Sequence, residues 1–332
     1  MNGGRPVAPR ERGAALLAVL LLVAVMGALS AAALERLRLS TALAVNGAAL
    51  DQARAFAVGV EALLALRVDD LISASPERTT LAGGWNGETR QLPLPGGALA
   101  QATIRDGGNC FNINSVAQGE PPAMLVARPA GVAQFVALMR LREVPEPAAR
   151  RIAEAAADWV DADAAAAGQG AEDPVYAGLA QPYRAGNTLF AEVSELRAVN
   201  GMTPEIYDRI RPWLCALPTT DLSPINVNTL LPGQALLLAM LAPDQIGPEL
   251  ARRAIAQRPA GGWEEMADFY AIPAFANVLL PLDVQLQPQL STRWFTLDLR
   301  VELQGAELAE TALVDARLAP ARVVVRRWGS DD

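Results

Sequence analysis

Charged side chains are absent from Ala14 to Leu34, a run of 21 residues behind a short leader that carries Arg5, Arg10 and Arg12. As a helix that run is roughly 31 Å long, the thickness of a bilayer hydrocarbon core, and it predicts a membrane-spanning segment. From Glu35 the pattern turns amphipathic. Leu37, Thr41, Val45, Ala48, Ala49, Gln52, Phe56, Val58, Val60, Leu63, Leu64 and Leu66 recur at mixed three- and four-residue spacings, and no proline intervenes until Pro76. The pattern predicts one helix of nearly sixty residues, 14–34 in the membrane and 35–75 as its amphipathic continuation.

After the helix the period changes. Pro76 to Gly97, rich in Pro, Gly and Thr, is expected as a loop, followed by a strand from Ala98 to Arg105 and a turn at Asp106-Gly107-Gly108-Asn109. Near the other end, Trp294 to Gln304, Ala306 to Leu318 and Ala321 to Trp328 alternate in part and predict three strands, separated by Gly305 and Pro320. Strand sequence at 76–110 and 291–332 thus brackets a middle section, 111–290, that is mostly helical. The fold class is α+β: a long N-terminal helix, a small antiparallel sheet and a large helical insert.

The insert contains an internal echo. Asn112-Ile113-Asn114-Ser115 is matched by Asn226-Val227-Asn228-Thr229, and each is followed by helix, tight turn and helix: Gln134–Leu141 with Pro147–Trp159, and Ala235–Leu241 with Pro248–Gln257. Between the copies, Val193–Gly201 and Thr203–Leu214 predict a further helical hairpin, with Thr203 as cap and Pro204 in the first turn.

Composition then narrows the chemistry. The net charge is −8, so clustered positive charge for a phosphate backbone is lacking. The 332 residues include no His, and every one of the 28 basic residues is Arg, which excludes histidine catalysis and histidine metal sites. Five carboxylates, Asp158, Asp161, Asp163, Glu172 and Asp173, fall within 16 residues around a small-residue loop. Such crowding suits a hard cation with several oxygen ligands, though the spacing is not that of an EF-hand and a solvated acidic loop is the alternative. An acid–base pair for catalysis needs two carboxylates held apart across a cleft, so no enzyme activity is expected. Cys110 and Cys215 flank the first copy. A disulfide between them would close a loop worth roughly 4.7 kcal/mol in the chain-entropy account, and two separate buried thiols are the alternative.

A hydrophilic leader ending in Gly13 directly before an apolar segment, itself continued by a long amphipathic helix, resembles the N-terminus of type IV pilins and pseudopilins. The resemblance implies prepilin peptidase cleavage of the Gly13–Ala14 bond, methylation of the processed chain, and retention of the membrane helix. A competing reading is a secretory signal cut near Ser30-Ala31-Ala32-Ala33. The chain departs from most pseudopilins at the fifth mature position, where Ala18 replaces their Glu. That departure, the repeated units like sterile-alpha-motif or helix-hairpin-helix domains, and the acidic string are similar to the K-type minor pseudopilin of type II secretion systems (GspK).

Several expectations follow from that resemblance. The subunit sits at the pseudopilus tip, nucleating assembly and supporting export of folded proteins. It is held in the inner membrane with a periplasmic head, and it contacts other minor pseudopilins through Leu37–Leu66 and the inner-membrane assembly platform. It binds structural Ca²⁺ through Asp161, Asp163, Glu172 and Asp173, with Asp158 and Asn187 as weaker candidates. The alternative function is a membrane-anchored helix-hairpin-helix protein for DNA binding or uptake. For that, Ile246-Gly247-Pro248 alone approaches a phosphate-holding hairpin.

Overall fold

The computed structural model describes residues 9–121, 124–317 and 319–329. Helix α1 runs Pro9–Ala74, 66 residues and about 99 Å at 1.5 Å per residue. Arg5 of the leader lies outside the described residues. The Gly13–Ala14 bond lies within the helical span, and every side chain from Ala14 to Leu34 is exposed. By length and composition this first part of α1 is able to cross a membrane.

From Ala49 onward α1 is covered on one side only. Ala49, Ala53, Ala57, Val60, Glu61 and Val68 are buried, a stripe of mostly small residues at three-, four- and seven-residue steps that lets a sheet approach closely. That sheet has five antiparallel strands, β1 (Thr89–Pro93), β2 (Leu99–Asp106), β3 (Trp294–Leu303), β4 (Ala306–Asp315) and β5 (Arg322–Trp328), in spatial order 1-2-3-4-5. Ala53, Ala57 and Val60 pack on Ala100, Ala102, Leu299 and Val301. Further along, Val68 joins Ile104, Phe295, Leu297, Ala312, Val314 and Trp85. Gln304 and Gly305, at φ 50° and 84°, make the turn between β3 and β4, as a tight hairpin with right-handed strand twist requires.

Strand β1 corrects the loop expected over Pro76–Gly97. Its side chains are almost all exposed, so no alternation marks it, yet Thr89 to Pro93 pair in register with Thr103 to Leu99. Pro93 is tolerated because this is an edge strand.

At the opposite edge β5 is tied to α1 at three points. Asp69 Oδ1 accepts the Ala321 N–H at 2.7 Å, Glu61 is bonded to Arg326 at 2.6 and 2.7 Å, and the Arg54 guanidinium lies 5.3 Å from the Trp328 ring centroid.

The insert leaves and re-enters at one place. Asp106, the last residue of β2, pairs with Phe295 of β3, and Gly107 donates its N–H to the Trp294 carbonyl at 2.9 Å. Half-buried Asp106 caps this junction, accepting the N–H groups of Gly108 and Asn109 and the hydroxyls of Thr229 and Thr292. Within the insert the helices are α2 (Pro129–Leu141), α3 (Glu146–Val160), α4 (Asp173–Ala177), α5 (Pro204–Ile210), α6 (Leu236–Ala239), α7 (Pro248–Ala256), α8 (Met266–Ala271) and α9 (Leu282–Gln285). They share one apolar core with Phe111, Phe135, Trp159, Phe190, Leu238 and Phe269.

The two echoed motifs are two copies of one junction. Each opens on a two-residue parallel strand pair, Phe111–Asn112 with Leu214–Cys215 and Ile225–Asn226 with Pro288–Gln289. The first Asn of each turns the chain, Asn112 and Asn226 accepting the N–H groups of Asn114 and Asn228.

Helix lengths differ from expectation where proline or a cap intervenes. The helix predicted over Thr203–Leu214 stops at Ile210 and tightens into a 3₁₀ turn, Arg211–Trp213, because Pro212 has no N–H to give. Thr203 does cap α5, its hydroxyl accepting the Ile206 N–H. The expected helix at Val193–Gly201 is a 3₁₀ segment, Val193–Ala198, and the stretch Ala235–Leu241 is reduced to α6. The sulfurs of Cys110 and Cys215 are bonded across the first parallel pair, with Cα atoms 5.8 Å apart.

Candidate functional site

Helix α3 carries the acidic site on its last turns. Glu154, Asp158 and Asp161 follow one another at steps of four and three residues and so share a face of the helix and its C-cap. Asp158 is fully buried and holds the returning loop, its two oxygens 3.0 and 3.2 Å from the Ala167 N–H. Glu154 accepts the Gln169 N–H at 2.6 Å. The loop comes so near that a Cβ on Gly170 would lie 1.9 Å from Asp158 Oδ2, which only glycine avoids. Asp163 Oδ1 accepts the Ala165 N–H, fixing the turn after α3.

This folding places carboxylate oxygens of Asp161, Asp163 and Glu172 within 4.8 Å of one another. Asp161 and Glu172 are buried and Asp163 is exposed. Two of the oxygens, Asp161 Oδ1 and Glu172 Oε1, are sealed from solvent with no hydrogen-bond partner, an arrangement that costs free energy unless something positive meets them. Burial, then the charges of Asp163, Asp158 and Glu172, push the Asp161 carboxyl up to about 7. Burial likewise lifts Asp158 to about 6 against the pull of the loop N–H groups, and lifts Glu172. An all-oxygen donor set with two orphaned buried oxygens and mutual repulsion fits a hard divalent cation.

The other expected ligands are placed differently. Asp173 begins α4, and its carboxylate turns away from the trio to accept the Ala185 N–H at 3.0 Å, since the short helix aims it at the segment that follows. Asn187 serves through its backbone, donating its N–H to the Trp159 carbonyl at φ 45°. Asp158 spends its oxygens on the loop. The closing role of Glu154 was missed from sequence, although its four-residue spacing from Asp158 was the available signal.

Aromatic rings brace the site from below. Trp159 stacks on Phe190 at 6.2 Å and meets Tyr176 edge-on at 5.4 Å, while Tyr183 stacks on Tyr176 at 5.3 Å and donates its hydroxyl to the Ala198 carbonyl. The loop from Asp161 to Asn187 is thereby pinned at both ends to α3.

The phosphate-binding alternative has less support in the geometry. Asn226 and Asn228 are buried, with both side chains consumed by internal hydrogen bonds. Gly247 simply precedes α7, whose first turn carries Glu249.

Comparison with known proteins agrees with this architecture. The family model described as "Type II secretion system (T2SS), protein K" matches residues 109–219 and 225–293. The type II secretion system protein K of Pectobacterium carotovorum is 32% identical over 325 residues, covering 96% of this chain and 97% of that protein. Its counterpart from Klebsiella pneumoniae is 34% identical, with the same coverage. A chain in the crystal structure of the GspK–GspI–GspJ complex from enterotoxigenic Escherichia coli superposes with a TM-score of 0.73 at 30% identity, covering 85% of this chain and 97% of that one.

Proposed function

The chain belongs to the type II secretion system protein K family of minor pseudopilins, and from that premise we propose that it caps the pseudopilus and nucleates its assembly with other minor pseudopilins. The helix-hairpin-helix DNA reading is not favoured. The observation that carries the tip position is Ala18 in an uncharged apolar segment. Its methyl group has nothing to offer the N-terminal amine of a subunit ahead, and an unpaired charge there would be expensive in lipid.

The membrane part of α1 anchors the subunit in the inner membrane once prepilin peptidase has cut after Gly13 and the new terminus is methylated, leaving the head in the periplasm beside the assembly platform. Along the continuation, Leu37 and Leu43 lie where α1 is exposed all round, and Leu50, Leu63 and Leu66 remain exposed where it lies on the sheet. This uncovered side receives the helices of partner pseudopilins, in keeping with the complex in which the related chain was solved. The relatives are pseudopilins, a structural and non-enzymatic class, and we assign no catalytic group.

Asp161, Asp163 and Glu172 hold Ca²⁺, which neutralises the loop and fixes the end of α3 against Tyr176. Site-directed crosslinking from position 43 or 50 in assembled pseudopili tests the reading as a whole. Adducts with other minor pseudopilins at one end of the filament are expected. Adducts along its length with the major subunit would overturn the tip position.

A further inference from the structure

Where β5 meets α1, two buried carboxylates face one guanidinium whose side chain is 37% exposed. Arg326 makes a two-pronged bond to Glu61, Nη2 to Oε1 at 2.6 Å and Nε to Oε2 at 2.7 Å, and the Glu61 side chain is only 5% exposed. Glu310, on the neighbouring strand β4, is fully enclosed; its nearest cation is the same Arg326 Nε, 3.4 Å from Oε1. As an ionised carboxylate, Glu310 has no donor in hydrogen-bonding geometry at either oxygen.

Among the described residues no other charge faces the cluster. On β3 the residue opposite Glu310 is Leu299, and its charged neighbours Asp298 and Arg300 pair elsewhere, with Arg105 and Glu307. On β2 the sheet face toward α1 offers Ala100 and Ala102. On α1, Arg54 is engaged with Trp328 and Asp69 with the Ala321 N–H. With both carboxyls ionised, the enclosure would hold two negative charges against one positive, and Glu310 would have no donor at all. With one proton on Glu310, its O–H becomes a donor aimed at Glu61 and the cluster is neutral.

We propose that Glu61, Glu310 and Arg326 form a one-proton latch that seats the last strand on the membrane-anchored helix and lets it go when that proton is lost. Burial, followed by the bond to Glu61 and its charge, pushes Glu310 up to about 8. Glu61, though burial opposes it, is held low by its bonds to Arg326 and Glu310. A raised carboxyl gives stability that is complete below its ordinary value, 4.5 for Glu, and that is lost as pH rises through about 8. The latch is therefore tightest in acidic surroundings, loosens through the neutral range and contributes nothing further above about pH 8. It acts on the same helix whose free side receives partners, and it rests on the cluster's geometry whether or not that assignment holds.

The test is amide hydrogen exchange on the full chain in detergent, corrected for intrinsic exchange, reading Val323 to Arg327. From about pH 5 to 8 the opening of β5 is expected to grow by up to tenfold per unit and then level off. Glu310→Gln should flatten that profile, and Glu61→Gln, which leaves Arg326 free to pair with Glu310, should shift the levelling to lower pH. A flat wild-type profile, or an unchanged slope in Glu310→Gln, overturns the latch. Should Glu310→Gln fail to fold, ¹³C-glutamate infrared difference spectra of a Glu172→Gln chain decide. That background removes the other glutamate that burial lifts. A protonated glutamic acid carbonyl band at neutral pH that bleaches through about pH 8 is expected, and its absence overturns the proposal.

Discussion

Asn114 grips the backbone of Phe190 from both sides, accepting its N–H at 2.7 Å and donating to its carbonyl at 3.0 Å. Asn228 holds Trp263 in the same way at 2.6 and 3.0 Å. The second Asn of each echoed motif thus acts as a side-chain rung that docks an aromatic residue to the start of its repeat. Replacing Asn228 by Ala strands two backbone groups, and replacing Asn114 strands three, the Leu217 carbonyl included; each variant is expected to lose about 1–3 kcal/mol in denaturant titrations. Equal stability to wild type would mean that the rungs are incidental.

Calcium binding should have the opposite pH dependence from the metal-free loop. Asp161, raised to about 7, favours the protonated apo loop, so chelator-treated protein loses stability as pH rises through that value. Calcium needs the ionised form, so its affinity grows over the same interval. At a hundredfold excess over Kd the ion is expected to add about 2.7 kcal/mol. Thermal melts with calcium and with chelator should diverge from about pH 5.5 to 8, and Asp161→Ala with Asp163→Ala should merge them. Identical melts at every pH would leave the acidic loop a solvated one.

Gly170→Ala addresses the loop from the other direction. The new methyl group meets the Asp158 carboxylate at 1.9 Å, so the loop must move outward and release the Ala167 N–H. A loss of about 1–3 kcal/mol is expected, together with faster proteolysis between Ala164 and Gln169. Calcium affinity should fall with it, because Asp161 and Glu172 are brought together by this closure. Unaltered protease resistance would refute the packing argument.

Processing is checked by intact-mass spectrometry of the membrane form, where a mature chain beginning at Ala14 is expected. A terminus near Ala33 or Leu34 would instead mean cleavage by a general signal peptidase and a head released from the membrane. Ala18→Glu should give no gain in secretion, since a subunit at the tip has no amine ahead of it to neutralise.

What could be read from sequence divided along the range of the interactions. The long apolar N-terminal helix, strands β2 to β5 and the echoed Asn motifs were legible because period, turn residues and repetition are local. Strand β1 was hidden: an exposed edge strand with Pro93 carries no alternation, and its existence depends on pairing with β2. At the acidic loop, composition marked the carboxylates, and the partners decided their roles, Asp158 being drawn to Ala167 and Asp173 to Ala185. The pairing of Glu61 with Arg326 spans 265 positions, beyond any periodicity.

The insert joins the sheet at one end of two neighbouring antiparallel strands, with Gly107 bonded to Trp294 at the first rung. Tension applied to the helical lobe would therefore be drawn along both strands from the same end, as shear on the β1–β2 and β3–β4 ladders, and not as unzipping of β2 from β3. Asp106, clamping Gly108, Asn109, Thr229 and Thr292 together, lies where that load enters the sheet, so the two strands carry it jointly.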